Sequence, residues 1–260
     1  MTTKETTYKK TWALILGGSS GLGLATAHKL ALEGFHICIV HRDRKSSLVS
    51  FEKECDTMRN RGVEVLNFNL DALKTETIST VLENLEDHSI SIVVHSIAKG
   101  SLKPLRSQDN ALSKADLDIT IHAMATSWWE WTNACIKANK LFTSASNIAF
   151  TSEGNSKIWE GYGAVTAAKA VLEALMRQMA VELAPLGIRT NCIQAGVTRT
   201  PSFAMIPNSD NLAEMAMKRN PFNRLTVPSD VANAVALLAN PDATWINGTI
   251  LKVDGGESLR

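Results

Sequence analysis

The sequence predicts a single α/β domain, doubly wound around a seven-stranded parallel sheet of the Rossmann type. Three observations carry that prediction. Short apolar runs alternate with helix-period patterns from one end of the chain to the other. The runs are almost continuously apolar, as strands buried on both faces must be. No internal repeat, low-complexity tract or linker divides the 260 residues. One domain is therefore expected over 10–260, behind a flexible tail at 1–9.

The first strand is expected at 11–16, where Trp-Ala-Leu-Ile-Leu runs into a glycine cluster, and the first helix at 21–33. Further strands follow at 36–40, 64–68, 90–95, 146–151, 189–194 and 249–253. Helical spacing of apolar residues is clear at 75–85, 164–183 and 229–238. The longest irregular stretch, 198–228, holds Pro201, Pro207 and Pro221 and a short helical pattern near 211–219. A connection of that length in a compact domain suits an active-site lid. Trp128, Trp129 and Trp131 crowd one helical stretch and read as structural.

A formal charge of +1 argues against nucleic acid or a membrane surface as the main partner. Cys38, Cys55, Cys135 and Cys192 lack metal-ligand spacing and read as core thiols of a reducing compartment, so no metal site is expected. The first ten residues lack the apolar stretch of a signal peptide, and no run is long enough to span a bilayer. A soluble, cytoplasmic protein is expected.

Gly17, Gly21 and Gly23 give G-x3-G-x-G between the first strand and the first helix. Glycines there allow a tight turn, close approach of backbone to a pyrophosphate, and packing of helix on strand. Helix N–H groups and the positive dipole end then face the anion. Ser19, Ser20 and Leu22 belong to the same phosphate-binding turn. At the end of the second strand a carboxylate would hold the ribose hydroxyls of NAD. This chain has His41 and Arg42 instead, followed by Asp43. An arginine fork suits a 2′-phosphate, which favours NADPH over NADH, with Asp43 one register step from the ribose.

Tyr162 and Lys169 stand seven residues apart, two turns along one helical face. A phenol is a weak acid, and a nearby ammonium favours its ionised form, which brings it towards acid–base work at neutral pH.

The glycine turn, the Tyr–Lys pair, Asn191-Cys-Ile-Gln-Ala-Gly196 and Val253-Asp-Gly-Gly256 together resemble the short-chain dehydrogenases/reductases, over the chain from about residue 10. Ordinary members carry the tyrosine four residues before the lysine, where this chain has Val165, and Asn-Asn-Ala-Gly where it has His95-Ser-Ile-Ala98. Both departures are similar to the enoyl-acyl-carrier-protein reductases, and the uninterrupted glycine turn resembles their NADPH-using branch. In the family's terms, Ser152 matches the catalytic serine, as hydrogen-bond partner of the thioester oxygen or as a strand-end cap. Asp71 matches the adenine-binding acid, with an N-cap of the next helix as a compatible role. Ser96, Ile97, Gly196, Thr198 and Thr200 fall on cofactor-contacting segments. His122 falls near the family's helix asparagine and stays outside the catalytic set. The resemblance also implies that the helix of Trp128, Trp129 and Trp131 lies at a subunit interface, with a lining for the acyl chain as the alternative.

The resemblance implies NADPH-dependent reduction of a trans-2-enoyl thioester on acyl carrier protein, by a homotetramer or homodimer. Hydride goes to the β-carbon and charge develops on a more distant thioester oxygen, so the acid moves too, by about one helical turn or roughly 4–5 Å. A 3-oxoacyl or other carbonyl reductase is the alternative enzyme, and a non-catalytic dinucleotide sensor the alternative of another class. Lys218 and Arg219, with Arg224, are candidate contacts for an acidic carrier.

Overall fold

The computed structural model describes residues 11–260; the tail expected at 1–9 lies outside the described residues. The strands are β1 Trp12–Leu16, β2 His36–His41, β3 Val65–Asn69, β4 Ile90–His95, β5 Leu141–Thr151, β6 Arg189–Ala195 and β7 Ile250–Val253. They form one sheet in the order β3-β2-β1-β4-β5-β6-β7, every pair parallel. The helices are α1 Gly21–Leu32, α2 Lys45–Arg59, α3 Thr75–Glu83, α4 Lys114–Ile121, α5 Ser127–Lys137, α6 Gly163–Glu182, α7 Pro201–Ala204, α8 Ser209–Arg219 and α9 Pro228–Ala239.

Period-two geometry sends alternate residues of each strand to opposite faces. Ala13 and Ile15 of β1 face a core shared with Leu30 of α1, Met58 of α2 and Val235 of α9. Leu14 and Leu16 face the other, shared with Val81 of α3, Trp131 of α5 and Leu172 of α6. Burial on both faces explains the unbroken apolar strands. The strand ends lie within one residue of expectation except in β5, which begins at Leu141 and carries a bulge opposite the start of β4. Exposed Thr143 and Ser144 interrupt the apolar run there and hide the strand's first half.

The tryptophans correct an expectation. Trp128 and Trp131 are fully buried in the monomer's own core, not at a subunit surface. Trp128 Nε1 donates to Asn147 Oδ1 (2.6 Å) and Trp131 Nε1 to the Ala72 carbonyl (2.8 Å), so each indole meets a polar partner inside. They lock α5 to β5 and to the loop after β3.

Strand order reverses between β1 and β4, which opens a crevice at their carboxyl ends. Gly17 lies so near the loop after β4 that a Cβ on it would stand 2.7 Å from the Ser96 carbonyl oxygen. The expected lid, 198–228, crosses this crevice as α7 and α8. No helix among the described residues is long and apolar enough to cross a membrane.

Candidate active site

The crevice holds a cavity of about 1170 Å³, walled by the N-terminus of α1, the ends of β4, β5 and β6, the start of α6 and the lid. Gly17, Ser20, Gly21 and Leu22 form one end. Gly17 (φ +85°) and Gly21 (φ +54°) adopt left-handed backbone, where a side chain is strained. A Cβ on Gly23 would lie 2.2 Å from the Gly17 carbonyl oxygen, so only glycine lets the helix start against the turn. Ser20 occupies the N-cap of α1 without a side-chain cap, and the first turn carries no acid. Free N–H groups and an unopposed dipole end fit a pyrophosphate.

Outside the cavity runs an open rim of charged residues. Ser19 Oγ donates to Asp43 Oδ1 (3.1 Å), and Asp43 Oδ2 lies 3.1 Å from His41 Nδ1. Arg42 Nη1 donates to Asp71 Oδ2 (2.7 Å). Two expectations change here. The His41 ring turns inward, buried against Phe51 at 4.4 Å between centroids, and burial lowers its pKa despite Asp43. It braces Asp43 instead of facing a ribose. Asp71 does not cap α3, whose N-cap is Lys74; it accepts from Leu73 N (3.1 Å) in a local turn, one oxygen left to Arg42.

Ser96, Ile97, Gly196, Thr198 and Thr200 all line the cavity, as expected from their segments. A Cβ on Gly196 would meet Thr226 Oγ1 at 2.4 Å, so glycine is required where the lid begins. Thr198 donates to the Gly196 carbonyl (2.9 Å), and Thr200 caps α7 through Phe203 N (3.1 Å).

Ser152, Tyr162 and Lys169 come together at the far end of the cavity. Tyr162 does not lie on the helical face that its spacing suggests. It is the N-cap of α6, with φ −98° and ψ 2°, delivered by the turn at Gly161 (φ +75°). Its ring packs on Gly154, where a Cβ would stand 2.6 Å from Cε1, and meets Trp159 edge-on at 5.2 Å. Ser152 accepts from Gly154 N (3.4 Å), capping the turn after β5, and stands near enough to the phenol to pull its pKa down.

The ammonium effect on the phenol is a further correction. Lys169 Nζ is drawn back onto the Phe150 carbonyl (2.7 Å). Burial raises the Tyr162 pKa above the ordinary value, with Ser152 pulling it down, so the phenol stays protonated. Burial also lowers Lys169 to about 8, against the opposing pull of Cys192 and Glu173. Buried Glu173, one turn along α6, accepts from Thr151 Oγ1 and Asn155 Nδ2, both at 2.6 Å.

At the ordinary tyrosine position Val165 is buried and forms apolar wall with Met124. Tyr162 is the one tyrosine among the described residues; Tyr8 lies outside them. His95, at the end of β4, is fully enclosed, bonds Ser127 Oγ (2.9 Å), and is held neutral by burial and then by the Lys169 charge, its pKa near 3. His122 pairs with Glu130 (3.1 Å) at the surface, outside the cavity. Gly154, Trp159, Glu173 and Ser127 carry no signal in sequence, because their roles exist only once β5 and α6 pack. Among the described residues no group of three His, Cys, Asp or Glu side chains is placed to hold a metal ion.

Residues 17–258 match the family model described as enoyl-(acyl carrier protein) reductase, one of the short-chain dehydrogenase/reductase type. The chain belongs to this family. It is an oxidoreductase built to take a nicotinamide dinucleotide. A short-chain relative, the hydroxy(phenyl)methylsuccinyl-CoA dehydrogenase subunit BbsD of Thauera aromatica, is 29% identical over 95% of this chain and 96% of its own. The peroxisomal 2,4-dienoyl-CoA reductase of Saccharomyces cerevisiae is 26% identical over 96% of this chain and 84% of its own. The enoyl-(acyl-carrier-protein) reductase (NADH) of Aquifex aeolicus superposes with a TM-score of 0.82 at 23% identity, covering 97% of this chain and 98% of that one. An actinorhodin polyketide ketoreductase with NADPH superposes at 0.84 and 21% identity, covering 98% and 99%. At these identities the superpositions speak for the short-chain dehydrogenase/reductase fold alone.

Proposed function

We propose that this protein reduces the trans-2 double bond of an enoyl thioester with NADPH. One observation carries the reading: the cavity's phenol comes from Tyr162 at the helix cap, while the ordinary position is the apolar Val165. The nicotinamide cofactor supplies hydride. Tyr162, kept protonated by burial, donates its proton to the thioester oxygen as enolate charge develops; the enol then ketonises by taking a proton at the α-carbon while its hydroxyl proton returns to Tyr162 or solvent. Lys169 is charged at neutral pH. With one N–H held by the Phe150 carbonyl, it offers its remaining protons to a ribose. Ser152 steadies the phenol, and the walls of Leu102, Met124, Trp159 and Phe203 exclude water around an acyl chain. Arg42, more than half exposed, exchanges Asp71 for a 2′-phosphate, while Asp71 turns to the adenine.

The carrier is an acidic acyl carrier protein, met at the lid by Lys218, which lines the cavity and forms no ion pair among the described residues. Arg219 and Arg224 leave this role: the first bonds two carboxylates inward and the second pairs with Asp230 at 2.7 Å. Carbonyl reduction is the second reading, favoured by the Ser152–Tyr162 contact, which equally suits a ketone oxygen. Incubation with NADPH and crotonyl thioester should yield the saturated butyryl thioester by mass spectrometry. Unchanged crotonyl thioester beside rapid formation of 3-hydroxyacyl product from acetoacetyl thioester would reverse the choice.

A further inference from the structure

Arg219 closes α8, in the middle of the lid, yet its side chain leaves the surface and enters a cluster of opposite charge. Its Nη2 donates to Glu153 Oε1 at 2.6 Å and to Glu257 Oε1 at 2.8 Å. Both acceptors are buried, Glu257 almost completely, with a side chain 1% exposed. Glu257 reaches further: its Oε2 accepts from Val197 N at 3.1 Å. Val197 follows Gly196 on the cavity wall where β6 ends. Glu153 follows Ser152 and opens the turn whose Gly154 supports the Tyr162 ring. Lys157 adds a second cation to Glu153 at 2.8 Å, so the cluster of two acids and two bases is neutral.

A buried carboxylate needs a partner, and two of them sharing one guanidinium fix its position from both sides. Burial pushes the Glu257 carboxyl above its ordinary range and the Glu153 charge adds to this, while Val197 N–H and Arg219 oppose it. Without Arg219 the two carboxylates would face each other across the gap at the root of the lid.

We propose that Arg219 is a positioning residue, a clasp that holds the lid simultaneously to the Ser152–Tyr162 loop through Glu153 and to the cofactor-side segment Gly196–Val197 through Glu257. The clasp couples lid closure to cofactor binding: the segment that accepts the cofactor and the helix that covers it share one guanidinium. It acts whichever bond is reduced, because both ties join one part of the protein to another.

Hydrogen exchange of the amides in 198–228 and the dissociation constants of NADPH and NADH by fluorescence test this in R219A, R219K and the double variant R219A/E153Q. Loss of charge-assisted bonds of this kind should speed exchange across α8 in R219A by roughly ten- to a hundredfold. The cofactor dissociation constant should rise with it. Adding E153Q to R219A removes one of the facing carboxylates and should restore part of both. R219K keeps the charge but not the fork, so its exchange should lie between wild type and R219A, and it carries the test if R219A does not fold. Exchange in R219K equal to wild type, or a double variant no better than R219A, would overturn the proposal. Neither readout requires turnover, so failure of the clasp and failure of the enoyl reading are told apart.

Discussion

The two ends of the cavity are built from different materials. At the phosphate end the chain uses backbone: glycines 17, 21 and 23, helix N–H groups, and a turn in which Gly23 lies against the Gly17 carbonyl and Gly17 against that of Ser96. At the chemical end it uses buried and half-buried side chains from distant segments: His95 from β4, Ser152 after β5, Tyr162 and Lys169 around the start of α6. The first end holds an anion by geometry with little dependence on protonation. The second depends on burial, which holds His95 neutral, the phenol protonated and the lysine pKa near 8. Changes at the two ends should therefore separate binding from chemistry.

The largest effect is expected at the chemical end. Tyr162→Phe keeps the ring against Gly154 and Trp159 and loses only the hydroxyl. It should lower kcat by about 10²–10⁴-fold, the usual worth of a positioned acid. The cofactor dissociation constant should stay as in wild type; a parallel rise would place Tyr162 in binding and break the division. Next is Gly23→Ala, whose Cβ would stand 2.2 Å from the Gly17 carbonyl oxygen. Overpacking of this kind costs about 1–3 kcal/mol, read as a lower Tm together with weaker binding of both cofactors. An unchanged Tm with full affinity would show that the turn relaxes.

Arg42→Ala should weaken NADPH by about 1.5–3 kcal/mol and leave NADH nearly untouched. Equal losses for both cofactors would mean that Arg42 serves Asp71 alone. The pH dependence sharpens the contrast further. The folded pKa of Lys169 is lowered from 10.5 to about 8, so the folded state loses this proton before the unfolded state does. The stability cost of the buried charge is complete below about pH 8 and is relieved as pH rises towards 10.5. Activity that needs the ammonium should fall as pH rises through 8. Glu173→Gln removes a charge that supports the ammonium and should move this limb lower; a limb that stays fixed would assign it to another group. The smallest effect belongs to the rim: Lys218→Glu should raise KM for an acyl-carrier substrate, spare kcat, and leave an acyl-CoA substrate unchanged.

The same contrast explains what the sequence disclosed. The glycine turn was readable because part of its requirement is local: Gly17 and Gly21 take left-handed backbone and Gly23 lies against the Gly17 carbonyl, six residues away. The strands were readable because burial on both faces leaves unbroken apolar runs, and β5 was shortened only where exposed Thr143 and Ser144 break that run. Spacing brought Tyr162 and Lys169 to one site, yet placed the phenol on a helix face instead of at its cap, because the turn at Gly161 is a tertiary outcome. The direction of the Tyr162 shift was likewise hidden, since it depends on burial of the phenol once β5 and α6 pack. Sequence alone points His41, Trp128 and Trp131 to ligand or partner surfaces, and the fold turns them inward. Arg219 looked like a surface cation because neither Glu153 nor Glu257 is near it in sequence.

The central claim is that moving the phenol from the helix face to its cap changes the bond reduced. The most direct test is the ratio of initial rates of NADPH oxidation with crotonyl and acetoacetyl thioesters of the same carrier, at equal concentrations. A preference for the crotonyl substrate of about tenfold or more, worth about 1.4 kcal/mol in the transition state, is expected. A faster rate with the acetoacetyl substrate would contradict the account and make this protein a carbonyl reductase.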